Sequence, residues 1–99
     1  MAHEIEFTDD ALRDYRGLQT HIRATIRDAL EVHLRHQPNK ASKSRIKSLR
    51  ELSHPQYRLR VGEFRIYYDV DAGVVTILGI VAKSDSWAWL ADKSIQDND

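Results

Sequence analysis

The fold is decided by one stretch of sequence, Tyr57-Arg58-Leu59-Arg60-Val61-Gly62-Glu63-Phe64-Arg65-Ile66-Tyr67-Tyr68-Asp69-Val70. Its apolar residues alternate with polar ones, and this period of two is typical of half-buried β-strands. Gly62-Glu63 interrupts the alternation, and glycine at the first of two turn residues favours a type II′ hairpin turn. The pattern predicts a β-hairpin with four facing pairs, which are Val61 with Phe64, Arg60 with Arg65, Leu59 with Ile66, and Arg58 with Tyr67.

The polar face of this hairpin would carry three arginines and a tyrosine. Like charges placed directly opposite each other destabilise a sheet, by a few tenths of a kcal/mol for each pair. One interpretation is a solvated face whose arginines splay apart or meet acidic partners elsewhere in the chain. The other is an anion site, because the guanidinium fork binds phosphate with two parallel hydrogen bonds. The spacing alone does not decide between them.

Length and composition indicate one small domain. The 99 residues can bury a single core, and we expect a domain over residues 1–93 and a polar tail over residues 94–99. The absence of cysteine excludes disulfides, thiolate metal sites and a cysteine nucleophile. No apolar run approaches the roughly 18 residues of a membrane span, so we expect no membrane anchor and a cytoplasmic location.

The charge is balanced overall but unevenly distributed. The 15 basic residues equal the 15 acidic ones. Between residues 33 and 65, however, only Glu51 and Glu63 oppose a run of lysines and arginines. These basic residues are Arg35, Lys40, Lys43, Arg45, Lys47, Arg50, Arg58, Arg60 and Arg65. Such a basic middle segment is a local electrostatic footprint for a polyanion.

The remaining elements follow from hydrophobic periodicity and from turn and cap residues. Thr8 is a suitable N-cap for a short helix that ends near Gly17, and a second helix is predicted over residues 20–35. Turns are predicted at residues 53–55 and 71–73, and strands at residues 3–7, near 46–49 and at 74–81. A last short helix carries Trp87 and Trp89. The order β-α-α-β-β-β-α predicts an α+β domain, a helical hairpin packed on one face of a small, mostly antiparallel sheet.

Histidines and tryptophans offer further chemistry, each with a structural alternative. His33 and His36 are spaced to share a helix face and could hold a metal, but no third ligand is in evident reach, so we expect a solvent-facing pair at the end of the helix. His54 precedes the hairpin and could supply a proton near neutral pH, but a structural role in capping the turn is the expectation. Trp87 and Trp89 can stack on a base or bury against the sheet, and we expect burial. Neither a metal site nor a cofactor is predicted.

With these elements in place, the chain resembles the RelE/ParE superfamily of bacterial toxins from type II toxin–antitoxin systems. The resemblance is carried by the hairpin, by Lys47-Ser48-Leu49 and by Val81-Ala82-Lys83, and its pattern covers residues 3–92. The RelE branch comprises ribosome-dependent endoribonucleases that cut mRNA. The implied reaction is metal-free attack of a ribose 2′-hydroxyl on the adjacent phosphate. The implied partners are a cognate antitoxin, the ribosome and mRNA.

The resemblance also assigns roles to the arginines. Arg58 and Arg60 fall where the family places its first pair of basic residues, and Arg65 where it places a phosphate-binding arginine. Because arginine stays protonated, all three would clamp the phosphate and none would act as a base. We expect Arg65 to contribute most, with its side chain pointing away from the core.

The segment after the last strand departs from the family pattern. RelE-like nucleases usually have an arginine and then a tyrosine or histidine there, whereas this chain has Ser84 and no tyrosine or histidine. Acid–base chemistry would then fall to Tyr67, His54 or Asp85. Contacts to RNA or the ribosome are expected from the remaining basic residues, which are Lys40, Lys43, Arg45, Lys47, Arg50 and Lys83. The alternative function is that of a ParE-like toxin, which poisons DNA gyrase without catalysis.

Overall fold

The structure, a computed structural model, describes residues 2–96. Its strands are β1 (Glu4–Phe7), β2 (Ile46–Ser48), β3 (Leu52–His54), β4 (Tyr57–Val61), β5 (Phe64–Asp71), β6 (Val74–Ala82) and β7 (Ile95–Gln96). Its helices are α1 (Asp9–Arg16), α2 (Thr20–Leu34) and α3 (Ser86–Lys93), with a 3-10 turn at Lys83–Asp85 before α3. Within residues 2–96, no helix has the length and apolar character needed to cross a membrane.

Five strands form a mixed sheet in the order β1-β6-β5-β4-β2. The edge strand β1 runs parallel to β6, and the other pairings are antiparallel. Strands β3 and β7 form a separate two-stranded sheet. The helical hairpin α1–α2 packs on one face of the main sheet, and α3 packs on the other. The predicted α+β class and helical hairpin are therefore confirmed.

The core lies between the α1–α2 hairpin and the main sheet. It unites buried residues of both helices with the inward residues of the strands. These residues are Ala11, Ile26, Leu30, Leu34, Ile46, Leu59, Val61, Ile66, Tyr68, Val75, Ile77 and Ile80. Burial raises the pKa of the Tyr68 phenol, and its neutral hydroxyl donates a hydrogen bond to the Pro38 carbonyl at 2.5 Å. The apolar residues of the hairpin thus line the side of the core that the sheet forms.

The β4–β5 hairpin has the predicted register in all four facing pairs. Gly62 has φ of 56°, a value in the left-handed region that glycine adopts without a Cβ clash. Because side chains alternate along a strand, this register places Arg58, Arg60, Arg65 and Tyr67 together on the face opposite the core. The alternation in the sequence was sufficient to predict this arrangement.

The helical hairpin also begins as predicted. The Thr8 side chain accepts a hydrogen bond from the Ala11 backbone N–H at 3.1 Å, which caps α1. Asp9 and Asp10 occupy the first turn, where the helix dipole favours negative charge. The Gly17 N–H donates to the Arg13 carbonyl at 3.1 Å as α1 ends. Helix α2 then spans nearly the whole predicted range.

The predicted turn at residues 53–55 was wrong in its start, because Leu52–His54 is the strand β3. Its partner β7 has only two residues, Ile95–Gln96, and lies in the segment expected to be a polar tail. Such short strands give no detectable periodicity, so their pairing depends on tertiary contacts. The end of that tail, residues 97–99, lies outside the described residues.

The two tryptophans of α3 have different environments. Trp89 packs against the sheet, as expected, and a Cβ added at Gly79 would lie 2.4 Å from its ring. The expected burial of Trp87 was wrong, because its side chain is 85% exposed. Residues two positions apart on a helix point about 200° apart, so only one of this pair can face the sheet.

Candidate anion site

Four basic residues meet on the sheet face opposite the core. Arg58 of β4 is paired with Lys47 of β2 on one side and with Tyr67 of β5 on the other. Arg60 and Arg65 form the next facing pair, two residues further toward the hairpin turn. We call Lys47, Arg58, Arg60 and Arg65 the cationic face. Three neighbouring strands therefore hold four positive charges on a rigid surface.

Arg58 has a buried side-chain donor that no acceptor within residues 2–96 satisfies. Its side chain is half-buried, and its Nε is a buried donor with no hydrogen-bond partner among residues 2–96. Leaving a buried donor unpaired costs about 1–3 kcal/mol, more when the group is charged. Native structures rarely retain such groups without a reason. A bound acceptor such as a phosphate oxygen would satisfy this Nε.

Arg65 is held more tightly than expected. It lies off the core, as predicted, but it is only 7% exposed. Its Nη1 donates to the carbonyls of Gly62 and Phe64, both at 2.9 Å, which ties the guanidinium to the hairpin turn. Burial, followed by the nearby charges of Arg58 and Arg60, lowers the pKa of Arg65. Arg65 therefore supports the hairpin as well as contributing positive charge.

Within residues 2–96, the cationic face forms no ion pair with an acidic side chain. Among the ion pairs of residues 2–96, none includes Arg58, Arg60 or Arg65. Glu63 exerts an opposing electrostatic effect on Arg65 that is smaller than those of the two arginines. The alternative of internal acidic partners is therefore not supported, and the arrangement suits a polyanionic ligand.

Tyr67 lies under α3 and not at the surface. Its ring is fully buried and stacks on Trp89 with a centroid distance of 4.6 Å and an angle of 8° between planes. Its hydroxyl is hydrogen-bonded to Ser86 Oγ. With α3 in this position, the phenol is engaged in holding the helix to the sheet. The sequence showed which face Tyr67 occupies but not that a helix covers it.

The other two predicted acid–base residues lie in different surroundings. His54 Nδ1 donates a hydrogen bond to Asp69 Oδ2 at 2.6 Å. Asp85 is exposed at the start of α3, and its carboxylate does not cap the helix. Lys83 is exposed beside the hairpin turn, where its backbone N–H donates to the Glu63 carbonyl at 2.7 Å. The Asp69 contact was missed, although the alternation of β5 does place that residue on the same face as Arg65 and Tyr67.

The other predicted RNA-contacting residues are dispersed. Lys40 and Arg45 line a shallow groove beside the end of α2, together with His33 and His36. Burial, followed by the charge of Arg45, lowers the pKa of His33. Lys43 is exposed between these two residues, and Arg50 lines a separate depression near Tyr57. The described part of the chain contains no group of three metal-ligating side chains.

Trp87→Ala is expected to leave stability nearly unchanged. The side chain is exposed, so its removal creates no cavity, and the free energy of unfolding should change by less than about 0.5 kcal/mol. Denaturant unfolding of the two proteins would check this. A loss of several kcal/mol would mean that Trp87 packs against the domain.

The fold and the site together define a small α+β protein with a cationic face on its central sheet. Over residues 5–87, its sequence matches the family described as the ParE toxin of the type II toxin-antitoxin system, parDE. The chain belongs to this toxin family. The expectation of a RelE/ParE superfamily toxin is confirmed. A search among curated proteins finds no match.

Several solved toxin structures share the fold. The RelBE2 toxin–antitoxin complex of Mycobacterium tuberculosis matches with 25% identity and a TM-score of 0.67, over 83% of this chain and 99% of that chain. The RelB–RelE complex of Methanococcus jannaschii matches with 22% identity and a TM-score of 0.62, over 85% of this chain and 96% of that chain. The free RelE mutant of E. coli matches with 22% identity and a TM-score of 0.59, over 90% of this chain and 92% of that chain. The fold is thus that of RelE proteins, whereas the matching sequence family is ParE.

Proposed function

We propose that this toxin cleaves mRNA on the ribosome without a metal ion. The observation that carries the proposal is the half-buried guanidinium of Arg58, whose Nε is an unpaired buried donor next to Arg60, Arg65 and Lys47. A backbone phosphate supplies both the negative charge and the acceptor oxygens that this group lacks.

The reaction needs stabilisation of charge that grows on the phosphate oxygens. The 2′-oxygen bonds to phosphorus as the bond from phosphorus to the 5′-oxygen breaks, which leaves a 2′,3′-cyclic phosphate and a 5′-hydroxyl. Fixed donors that meet this developing charge lower the barrier without reorganising. Arg58 and Arg60 would grip the phosphate directly. Arg65, anchored to the turn, would add positive charge and hold the hairpin in shape.

The cellular partners follow from this proposal. The toxin would act in the cytoplasm, where ribosomes and mRNA are found, with Lys83 and the dispersed basic residues contacting RNA. A cognate antitoxin would restrain it. The similar structure from M. tuberculosis is a toxin–antitoxin complex, which supports such a partner here. Acidic side chains of that partner would neutralise the cationic face.

A second function has specific support. The matching family is ParE, and the segment after β6 lacks the tyrosine or histidine usual in RelE-like nucleases. Both facts favour a toxin that binds and poisons DNA gyrase without catalysis. The two functions differ in what stops first in a poisoned cell, so one experiment separates them.

Expression of the toxin without a partner is expected to arrest growth by blocking translation. Pulse labelling after induction should show that incorporation of amino acids falls within minutes while incorporation of thymidine continues. An Arg58/Arg60/Arg65 triple alanine variant, checked for folding, is the control. If DNA synthesis stops first and protein synthesis continues, the nuclease proposal is wrong and the gyrase alternative is supported.

A further inference from the structure

A histidine and an aspartate meet at one end of the face that carries the arginines. The His54 imidazole donates from Nδ1 to Asp69 Oδ2 at 2.6 Å. The Asp69 side chain is 17% exposed, and its Oδ1 accepts the Gln56 backbone N–H at 2.8 Å. Both oxygens of the carboxylate are therefore held, so the aspartate fixes the orientation of the ring.

The free edge of this imidazole faces solvent. The His54 side chain is 52% exposed, and its Nε2 makes no hydrogen bond to any of residues 2–96. When a carboxylate accepts the Nδ1 proton, the neutral ring has its lone pair on Nε2. A histidine oriented in this way by an aspartate is the arrangement that hydrolases use for a general base.

The position of this pair relative to the cationic face follows from strand geometry. Tyr67 and Asp69 lie on the same face of β5, two residues and about 7 Å apart. Arg58 is the direct partner of Tyr67 on β4. On this face, Asp69 is therefore the next residue of β5 after Tyr67, which faces Arg58. A phosphate held by Arg58 would therefore lie on the face of the sheet that carries Asp69, the hydrogen-bond partner of the imidazole.

We propose that His54 is the general base of this toxin and that Asp69 is the residue that positions it. This inference depends on the proposed nuclease function. Nε2 takes the proton of the 2′-hydroxyl as the 2′-oxygen bonds to phosphorus. The bond to the 5′-oxygen breaks, and that oxygen takes a proton from water. His54 would thereby fill the place left by the missing tyrosine or histidine after β6.

The test is single-turnover cleavage of mRNA on purified ribosomes, measured across a range of pH with His54→Asn and Asp69→Asn. The asparagine amide that replaces the imidazole can still donate to Asp69, so the fold is retained, but it cannot accept a proton. We expect His54→Asn to lower the rate about a hundredfold. The pH profile of the parent should differ from that of the His54→Asn variant, because only the parent carries a group at this position that can accept the proton of the 2′-hydroxyl.

Asp69→Asn should lower the rate less, about tenfold, and should keep the shape of the parent pH profile, because the imidazole is present but poorly oriented. Asp69 is the charged group in contact with the ring, and Ile95, the β7 partner of His54, carries no charge. His21→Asn, a change at an exposed histidine of α2, is the matched control and should behave as the parent does. Thermal unfolding of each variant would show that the domain is intact.

Three results would overturn the inference. If a folded His54→Asn variant cleaves at the parent rate, His54 is not the general base, although the proposed nuclease function is unaffected. If the His54→Asn variant is slower but keeps the parent pH profile, the role of His54 is structural and not that of a base. If the parent toxin does not cleave mRNA, the proposed nuclease function is wrong, and so is the role of His54 as its general base.

Discussion

Arg58→Ala is expected to lower the single-turnover rate of mRNA cleavage by about 10²–10³, because it removes a donor whose contact strengthens as charge develops on the phosphate. The native domain should be little affected. Arg58 makes no ion pair within residues 2–96, and its Nε is already unpaired. The alanine substitution therefore removes a buried, unsatisfied donor and leaves no acceptor without its hydrogen bond to that Nε. The measurement is cleavage on programmed ribosomes with saturating toxin.

Two further variants sharpen this test. Arg58→Lys keeps the positive charge but loses the guanidinium fork, so its rate should lie between those of the parent and the alanine variant. Arg27→Ala removes an exposed arginine of α2 and is the matched control for a change of one charge. A folded Arg58→Ala protein that cleaves like the Arg27→Ala protein would contradict a phosphate contact by Arg58.

Arg65 provides a useful contrast. The sequence predicts that Arg65 contributes most to cleavage, whereas the geometry gives the direct phosphate contacts to Arg58 and Arg60, so the order of the three arginines stays a prediction. In the structure its Nη1 donates to two backbone carbonyls of the hairpin, so an alanine at this position would alter the turn as well as the charge. The rates of the Arg58 and Arg65 alanine variants, each corrected for its folded fraction, would rank the two arginines.

Trp89→Ala is expected to destabilise the domain by about 3 kcal/mol, near the lower end of the range for removal of a packed tryptophan, because this side chain is half-buried. The ring stacks on Tyr67 and lies against the bare backbone of Gly79. Its removal would open a cavity over the sheet and weaken the attachment of α3. The measurement is the free energy of unfolding from a denaturant titration.

Trp87→Ala is the matched control for this variant, because it removes the same side chain from the same helix at a position that does not touch the sheet. The pair should differ by several-fold in their loss of stability. Equal losses would contradict the packing of the Trp89 ring against Tyr67 and Gly79. The Tyr67 ring should also become accessible to solvent in the Trp89 variant, which quenching of tyrosine emission would detect.

The sequence predicted those features that depend on local rules. Alternation around Gly62-Glu63 gave the register of β4 and β5, because a shift by one residue would have turned the apolar side chains to the wrong face. Thr8, followed by two acidic residues, marked the start of α1. The grouping of Arg58, Arg60 and Arg65 followed from the same register without any tertiary information.

The features that were missed depend on contacts between distant segments. The covering of Tyr67 by α3 requires Trp89 to meet Gly79, and no local pattern shows that encounter. The pairing of β3 with β7 joins segments about 40 residues apart through two short strands. The contact of His54 with Asp69 spans 15 residues and depends on where the chain after β3 returns to the sheet. The position of α3 over Tyr67 limits how much of the face opposite the core is exposed.

The central claim is that the cationic face holds a phosphate for metal-free cleavage of RNA. The most direct measurement incubates the purified toxin with ribosomes programmed with mRNA and determines the chemistry of the new ends. We expect cuts within the ribosome-bound mRNA that leave 2′,3′-cyclic phosphate and 5′-hydroxyl ends, and no such cuts with the Arg58/Arg60/Arg65 triple alanine variant. Intact mRNA with the parent toxin, or equal cleavage by the folded triple variant, would contradict the claim.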